Sequence, residues 1–138
     1  MIKTFRIFGA GEWGLAVANH LACLDNRVEV FLRDDNKLNQ YNESLFCKRL
    51  NLSFDKKIIF RNLEELNHLL NNEDNFNIIA SSSSGFADII NSYSVYFKSC
   101  QSIIWLTKGL DHSKGLLFHE IIDQILSPDI KKCIISGP

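Results

Sequence analysis

Short apolar runs at 5–8, 28–32, 58–60, 76–80, 102–106 and 132–135 punctuate the chain, and the stretches between them carry apolar residues at helical spacing. Continuous runs of this length suit buried strands, and a period near 3.6 suits helices laid against them. The first helix opens at Leu15-Ala16-Val17-Ala18 and reaches Cys23. Residues 35–42 have the polarity of a short exposed helix, with Asp35 or Asn36 available as a cap. Leu63, Leu66, Leu69 and Leu70 recur on one helical face as core packing. Phe86, Ile89, Ile90 and Tyr93 repeat that spacing, and 116–126 is amphipathic up to Ser127-Pro128. Between these elements, 25–27 reads as a turn in which Asn26 takes the left-handed backbone. Residues 43–57 read as irregular, and 71–75 as a polar loop. Strands alternating with helices about six times predict an α/β fold, a doubly wound, mostly parallel sheet with helices on both faces and right-handed crossovers.

The first strand enters Gly9-Ala10-Gly11-Glu12-Trp13-Gly14, and each glycine has a separate task. Gly9 permits a tight turn, Gly11 lets the backbone approach a diphosphate, and Gly14 lets the helix pack close to the strand. The helix that follows aims unpaired N–H groups and the positive end of its dipole at the turn, which favours an anion. The competing reading is a close-packed corner with no ligand.

The second strand ends at Arg33-Asp34-Asp35, where a dinucleotide fold places the group that reads the adenosine ribose. A carboxylate there would accept from a 2′-hydroxyl and repel a 2′-phosphate, and a guanidinium does the reverse. Arg33 therefore favours NADPH, although Asp34 could serve a ribose hydroxyl and Arg33 could equally be a solvated strand end. The run Ser81-Ser82-Ser83-Ser84-Gly85 sits after the fourth strand, either touching a cofactor or forming a plain loop. Lys108, between Thr107 and Gly109 at the end of the fifth strand, is placed to hold a phosphate or a polarised oxygen.

Composition narrows the classes. A chain of 138 residues, 46% hydrophobic and with net charge −1, has enough core for one independent domain and no basic stripe for nucleic acid. It carries no apolar run near the length of a membrane span and no signal-like start, so a cytoplasmic protein without a membrane span is expected. Cys23, Cys47, Cys100 and Cys133 form no C-x-x-C pair, and buried reduced thiols are expected rather than disulfides or a metal site. His20, His68, His112 and His119 are scattered, and none is assigned to catalysis.

Three separated pieces together resemble one family. Gly9-Ala10-Gly11-Glu12-Trp13-Gly14 with Leu15-Ala16-Val17-Ala18, then Thr107-Lys108-Gly109-Leu110-Asp111, then Ile135-Ser136-Gly137-Pro138 look like the N-terminal half of the bacterial, biosynthetic NAD(P)-dependent glycerol-3-phosphate dehydrogenase. The resemblance implies a Rossmann-like NAD(P)-binding domain over 1–138 and reduction of dihydroxyacetone phosphate to sn-glycerol 3-phosphate for phospholipid synthesis. It implies NADP or NAD as cofactor, a small-molecule substrate, no nucleic acid, and possible oligomers. It also implies that Glu12, Trp13 and Arg33 contact the cofactor, that Lys108 contacts cofactor and substrate as the catalytic cation of this half, and that Gly137 lies at the substrate.

The chain departs from the family pattern in places. Where Glu12 stands a small or hydroxyl residue is usual, and a carboxylate there would repel a diphosphate unless it turned to solvent. The strand-end motif, commonly V-P-S, is Ser81-Ser82-Ser83, and a Y-L-P-G element expected near Arg49 is not recognisable. The family's helical C-terminal domain, with its second lysine and most substrate-phosphate contacts, is absent from these residues. The expectation is that the isolated chain binds cofactor weakly and turns over slowly or not at all. Another two-domain dehydrogenase, such as a hydroxyacyl or sugar-acid enzyme, and a non-catalytic or truncated dinucleotide-binding module are the alternatives.

Overall fold

The computed structural model describes residues 2–69 and 75–136. Six parallel strands form one sheet: β1 (Thr4–Phe8), β2 (Arg27–Leu32), β5 (Ile58–Asn62), β6 (Asn75–Ile79), β7 (Ser102–Trp105) and β8 (Lys131–Ile134). Their order is β5-β2-β1-β6-β7-β8. The chain thus winds outward from β1 to one edge, returns to the middle at β6, and winds to the other edge. Loops at the carboxyl ends of β1 and β6 part in opposite directions there, which opens the crevice used for ligands in sheets of this kind.

Alternate strand residues feed two cores. On one face Ile7, Val28, Val30, Leu32 and Ile78 pack against Leu15, Ala18 and Ala22 of α1 (Glu12–Cys23) and Tyr41 of α2 (Asp35–Ser44). The other face buries Phe8, Phe31, Ile79, Ile103 and Trp105 under α3 (Ser83–Ser92), α4 (Ser94–Lys98) and α5 (Phe118–Ile125). Small residues on α1 bring it close to the sheet, whereas the second core is filled by rings. Phe8 lies 5.3 Å from Phe31 and 5.2 Å from Phe97, and Phe86 stacks on Phe118 at 4.3 Å. The expected doubly wound sheet is present, and all its strand pairs are parallel.

Several local expectations are corrected. Asp25, not Asn26, takes the left-handed backbone, with φ of 66°. Leu24 is the C-cap of α1, so Asp25 occupies the position after it, and the Asn26 amide instead donates to the Leu21 carbonyl at 3.0 Å. The cap of α2 is Asp34, whose carboxylate accepts from the Lys37 N–H at 3.1 Å, because β2 ends two residues earlier. Within 43–57 lies a small antiparallel hairpin of β3 (Phe46–Cys47) and β4 (Leu52–Ser53), anchored by a ring cluster of Tyr41, Phe54 and Phe60 with centroids 5.0–5.4 Å apart. The leucine stripe at 63–70 begins as a 3₁₀ helix, Leu63–Asn67, capped by Asn62, while Leu70 and the loop at 71–74 lie outside the described residues. All four cysteines are free, but only Cys47 and Cys100 are buried; Cys23 ends α1 and Cys133 stands on the edge strand β8, both exposed.

Inside the sheet, register aligns Arg6 with Glu29 on one side and with Asn77 on the other. Arg6 Nε donates to Glu29 Oε2 at 2.8 Å and Nη1 donates to the Tyr96 hydroxyl at 2.9 Å, which in turn donates to Asn77 Oδ1 at 2.7 Å. Burial alone would raise the Glu29 carboxyl, but the hydrogen bond and charge of Arg6, with the charges of Arg61 and Arg27, more than offset it and hold it below the ordinary 4.5. Burial pushes the Tyr96 phenol and the Cys100 thiol each up to about 12, so neither ionises near neutral pH.

A candidate dinucleotide site at the carboxyl rim of the sheet

The turn after β1 is tight because Gly9 has φ of +117°, a conformation L side chains rarely adopt. A Cβ there would meet the Ala80 carbonyl oxygen at 2.6 Å, and one on Gly14 would meet the Gly9 carbonyl oxygen at 2.8 Å and Ala80 Cβ at 2.9 Å. Gly9 and Gly14 therefore do what the sequence reading assigns them. Gly11 is different. It is the N-cap of α1, its φ is −72°, and a Cβ added to it would come no nearer than 3.9 Å to the Ala80 carbonyl oxygen. No packing constraint from the protein demands a glycine there, and Gly11 lines an open cavity.

Gly9, Ala10 and Gly11 form the floor of a cavity of about 410 Å³ that also takes in Arg33, Asp34, Lys37, Arg49, Ala80, Ser81 and Ser82. Helices α1, α2 and α3 all begin at this rim, so three positive dipole ends converge on it. The serine run resolves into a helix start: the Ser82 hydroxyl accepts from the Gly85 N–H at 3.2 Å and caps α3, while Ser81 and Ser82 line the cavity. Arg33 is exposed, its guanidinium 3.9 Å from the Asp88 carboxylate, a distance too long to hold it firmly. Lys37 and Arg49 bring two further cations that the sequence reading did not assign. Lys37 stands only four residues beyond Arg33, in the first turn of α2, and is legible in the sequence; Arg49 is not, since only the hairpin brings it over the turn.

Glu12, the first residue of α1, does not simply turn to solvent. Its Oε1 lies 3.1 Å from Arg49 Nε, so the carboxylate at the mouth of the cradle is paired with one of the cavity's own cations. Trp13 beside it is 51% exposed.

Lys108 lines a neighbouring cavity of about 450 Å³ with Thr107, Gly109, His119, Ile135 and Ser136. A hydrogen bond from the Thr107 hydroxyl to the Ser81 carbonyl, 3.0 Å long, ties the lining of one cavity to that of the other. Asp111 folds the turn that follows Lys108 and Gly109: it is buried and accepts from the Ser113 hydroxyl at 2.6 Å and the Lys114 N–H at 2.9 Å. The Ser113 hydrogen bond holds its carboxyl below the ordinary range. Among the described residues, no group of three or more His, Cys, Asp or Glu side chains is placed to hold a metal ion, and no helix is long and apolar enough to cross a membrane.

The family model described as the N-terminus of NAD-dependent glycerol-3-phosphate dehydrogenase matches residues 4–138. The chain belongs to this family. A glycerol-3-phosphate dehydrogenase [NAD(P)+] of Legionella pneumophila strain Lens is 32% identical over 99% of the chain and 40% of its own length. One from Francisella tularensis subsp. novicida strain U112 is 31% identical over the whole chain and 41% of its own length. The crystal structure of the Coxiella burnetii glycerol-3-phosphate dehydrogenase superposes with a TM-score of 0.78 at 23% identity, covering 99% of this chain and 41% of that one, which shows a shared fold. The chain thus spans about two-fifths of the length of these relatives. Membership sets aside the hydroxyacyl and sugar-acid dehydrogenase alternatives.

Of the residues expected at a glycerol-3-phosphate dehydrogenase cofactor site, the fold brings Gly9, Gly11 and Arg33 into one cavity and packs Gly14 against Gly9; Glu12 pairs with Arg49 of that cavity, and Trp13 follows it in α1, half exposed. Lys108 stands in the adjoining cavity on the same rim. Gly137, expected at the substrate, lies outside the described residues.

Proposed function

We propose that the cavity over Gly9–Gly11 binds NAD or NADP, and that the chain is the cofactor-binding part of a cytoplasmic enzyme that reduces dihydroxyacetone phosphate to sn-glycerol 3-phosphate for phospholipid synthesis. The observation that carries this is the open space over Gly11 at the convergence of three helix N-termini, in a chain of the glycerol-3-phosphate dehydrogenase family. A diphosphate fits such a cradle because backbone N–H groups and aligned peptide dipoles favour an anion without a side chain in between.

The chemistry such a cofactor would supply, once held over Gly9–Gly11, is hydride for the ketone carbon. The protein's part is positioning and charge. The turn and the start of α1 would hold the diphosphate, Arg33 and Lys37 would serve the adenosine ribose, and Asp34, which caps α2 through Oδ1, keeps its second carboxylate oxygen for a ribose hydroxyl. Lys108 would donate to the substrate oxygen as it gains charge or to the substrate phosphate, just ahead of the turn that Asp111 folds. Chains that oligomerise would be compatible with this arrangement.

The direct test is titration of the 138-residue chain with NADPH and NADH, followed by quenching of the tryptophan emission, to which Trp13 beside the turn and Trp105 of β7 contribute. Saturable quenching by either cofactor is expected; none with either would sink the reading. A second titration addresses cofactor choice. Arg33→Asp is expected to lower the preference for NADPH over NADH by about ten- to hundredfold, the worth of one charge-assisted hydrogen bond to a phosphate. An unchanged ratio would remove Arg33 from the site.

A further inference from the structure

Glu12 puts a negative charge where the incoming ligand is negative, yet it is not a stray group. It is the first residue of α1, directly after the Gly11 cap, and its carboxylate lies 3.1 Å from the guanidinium of Arg49, which lines the same cavity from the turn between β3 and β4. Both side chains are more than half exposed, at 56% and 60%, so the pair is screened by water and easily parted. The hairpin that presents Arg49 is less free. Phe54 and Tyr41 pin its base to Phe60, and the Asp55 N–H donates to the Asn19 side chain of α1 at 2.9 Å. The backbone positions of both partners are therefore fixed relative to the cradle, and only the long side chains have freedom.

We propose that Glu12 and the dinucleotide diphosphate compete for Arg49, so that this ion pair sets the cofactor affinity of the chain. Resting on the cofactor site proposed above, the assignment makes Arg49 a diphosphate ligand held in reserve and Glu12 the group that holds it. On binding, the guanidinium leaves the carboxylate for the diphosphate, and the carboxylate turns to water. The affinity realised is lower than the cations of the cavity alone would give, because the Glu12–Arg49 contact is given up each time. The pair acts on the part common to both cofactors, which separates it from Arg33 and Lys37 at the adenosine end.

The test is a double-mutant cycle read as dissociation constants for NADPH and NADH by tryptophan quenching. Glu12→Gln is expected to tighten both cofactors alike, by about three- to tenfold, through loss of repulsion and release of Arg49. In an Arg49→Met background the same substitution removes only the repulsion, so the gain is expected to shrink by about two- to fivefold, the worth of an exposed ion pair. A gain as large in the Arg49→Met background as in the parent would overturn the role given to Arg49. No gain from Glu12→Gln, or a gain confined to NADPH, would overturn the competition for the diphosphate while leaving the cofactor site standing. If the parent chain binds neither cofactor, the site itself falls and the proposal with it.

Discussion

Gly11→Ala is expected to leave the chain folded and to weaken binding of NADPH and NADH about tenfold or more. The backbone at this position suits any residue, and the added methyl meets nothing in the protein nearer than 3.9 Å. Its effect on stability should stay within about 0.5 kcal/mol, the small loss of a glycine cap offset by a less flexible unfolded chain. The methyl would instead stand where the diphosphate must approach the N–H groups, and overfilling a close contact costs about 1–3 kcal/mol, enough for a loss of that order. Gly9→Ala provides the contrast. Its methyl would lie 2.6 Å from a backbone oxygen in a backbone conformation foreign to alanine, so about 3 kcal/mol or more of stability should be lost before binding is considered. Urea unfolding beside cofactor titration separates the two outcomes. If Gly11→Ala binds as tightly as the parent, the cradle is a packed corner and not a ligand site.

The second large effect lies away from the rim. Glu29→Gln should cost about 3–5 kcal/mol, because it leaves the Arg6 guanidinium, 8% exposed, without its buried counter-charge. Against a total stability of roughly 5–15 kcal/mol, that is a substantial fraction. Replacing both partners by leucine should recover more than half of the loss, since an apolar pair needs no desolvation of charge. The pH dependence follows from the sign of the shift. The folded carboxyl titrates below the 4.5 of an unperturbed glutamate, so the unfolded chain takes up the proton first. The stabilisation is complete above pH 4.5 and is lost as the pH falls through the lowered folded value. The Glu29→Gln variant should show a shallower loss of stability in that acid range, followed by unfolding midpoints at successive pH values. A single substitution costing under about 1 kcal/mol would show that the Arg6–Glu29 pair contributes little.

Periodicity located the six strands because parallel strands, most of them covered on both sides, appear as near-continuous apolar runs whatever their neighbours. The glycine turn was equally legible, since its three constraints fall within six residues. What escaped depends on register or on distance. Arg6, Glu29 and Asn77 each look like an isolated polar interruption of a strand, and only the alignment of β2, β1 and β6 makes them one buried network. The β3–β4 hairpin has two residues per strand, too few to show alternation, and so Arg49 could not be placed over the turn. With Asp34, Asp35 and Asn36 in succession, all acceptable caps, the end of β2 and not side-chain preference chose Asp34. Lys37 and Arg49 joined the candidate site, while the roles proposed for Lys108 and Arg33 were readable from their places at strand ends.

The central position of β1 also dictates when this domain can be completed during synthesis. β1 emerges from the ribosome first and can zip onto β2 soon afterwards, but its other flank is filled only by β6, which begins at Asn75. Until then one row of its backbone polar groups has no strand partner, and the Phe8 ring has Phe31 beside it but waits for Phe97 of α4. Until β6 pairs with it, the nascent half-sheet carries an open edge at β1 on which misassembly can start.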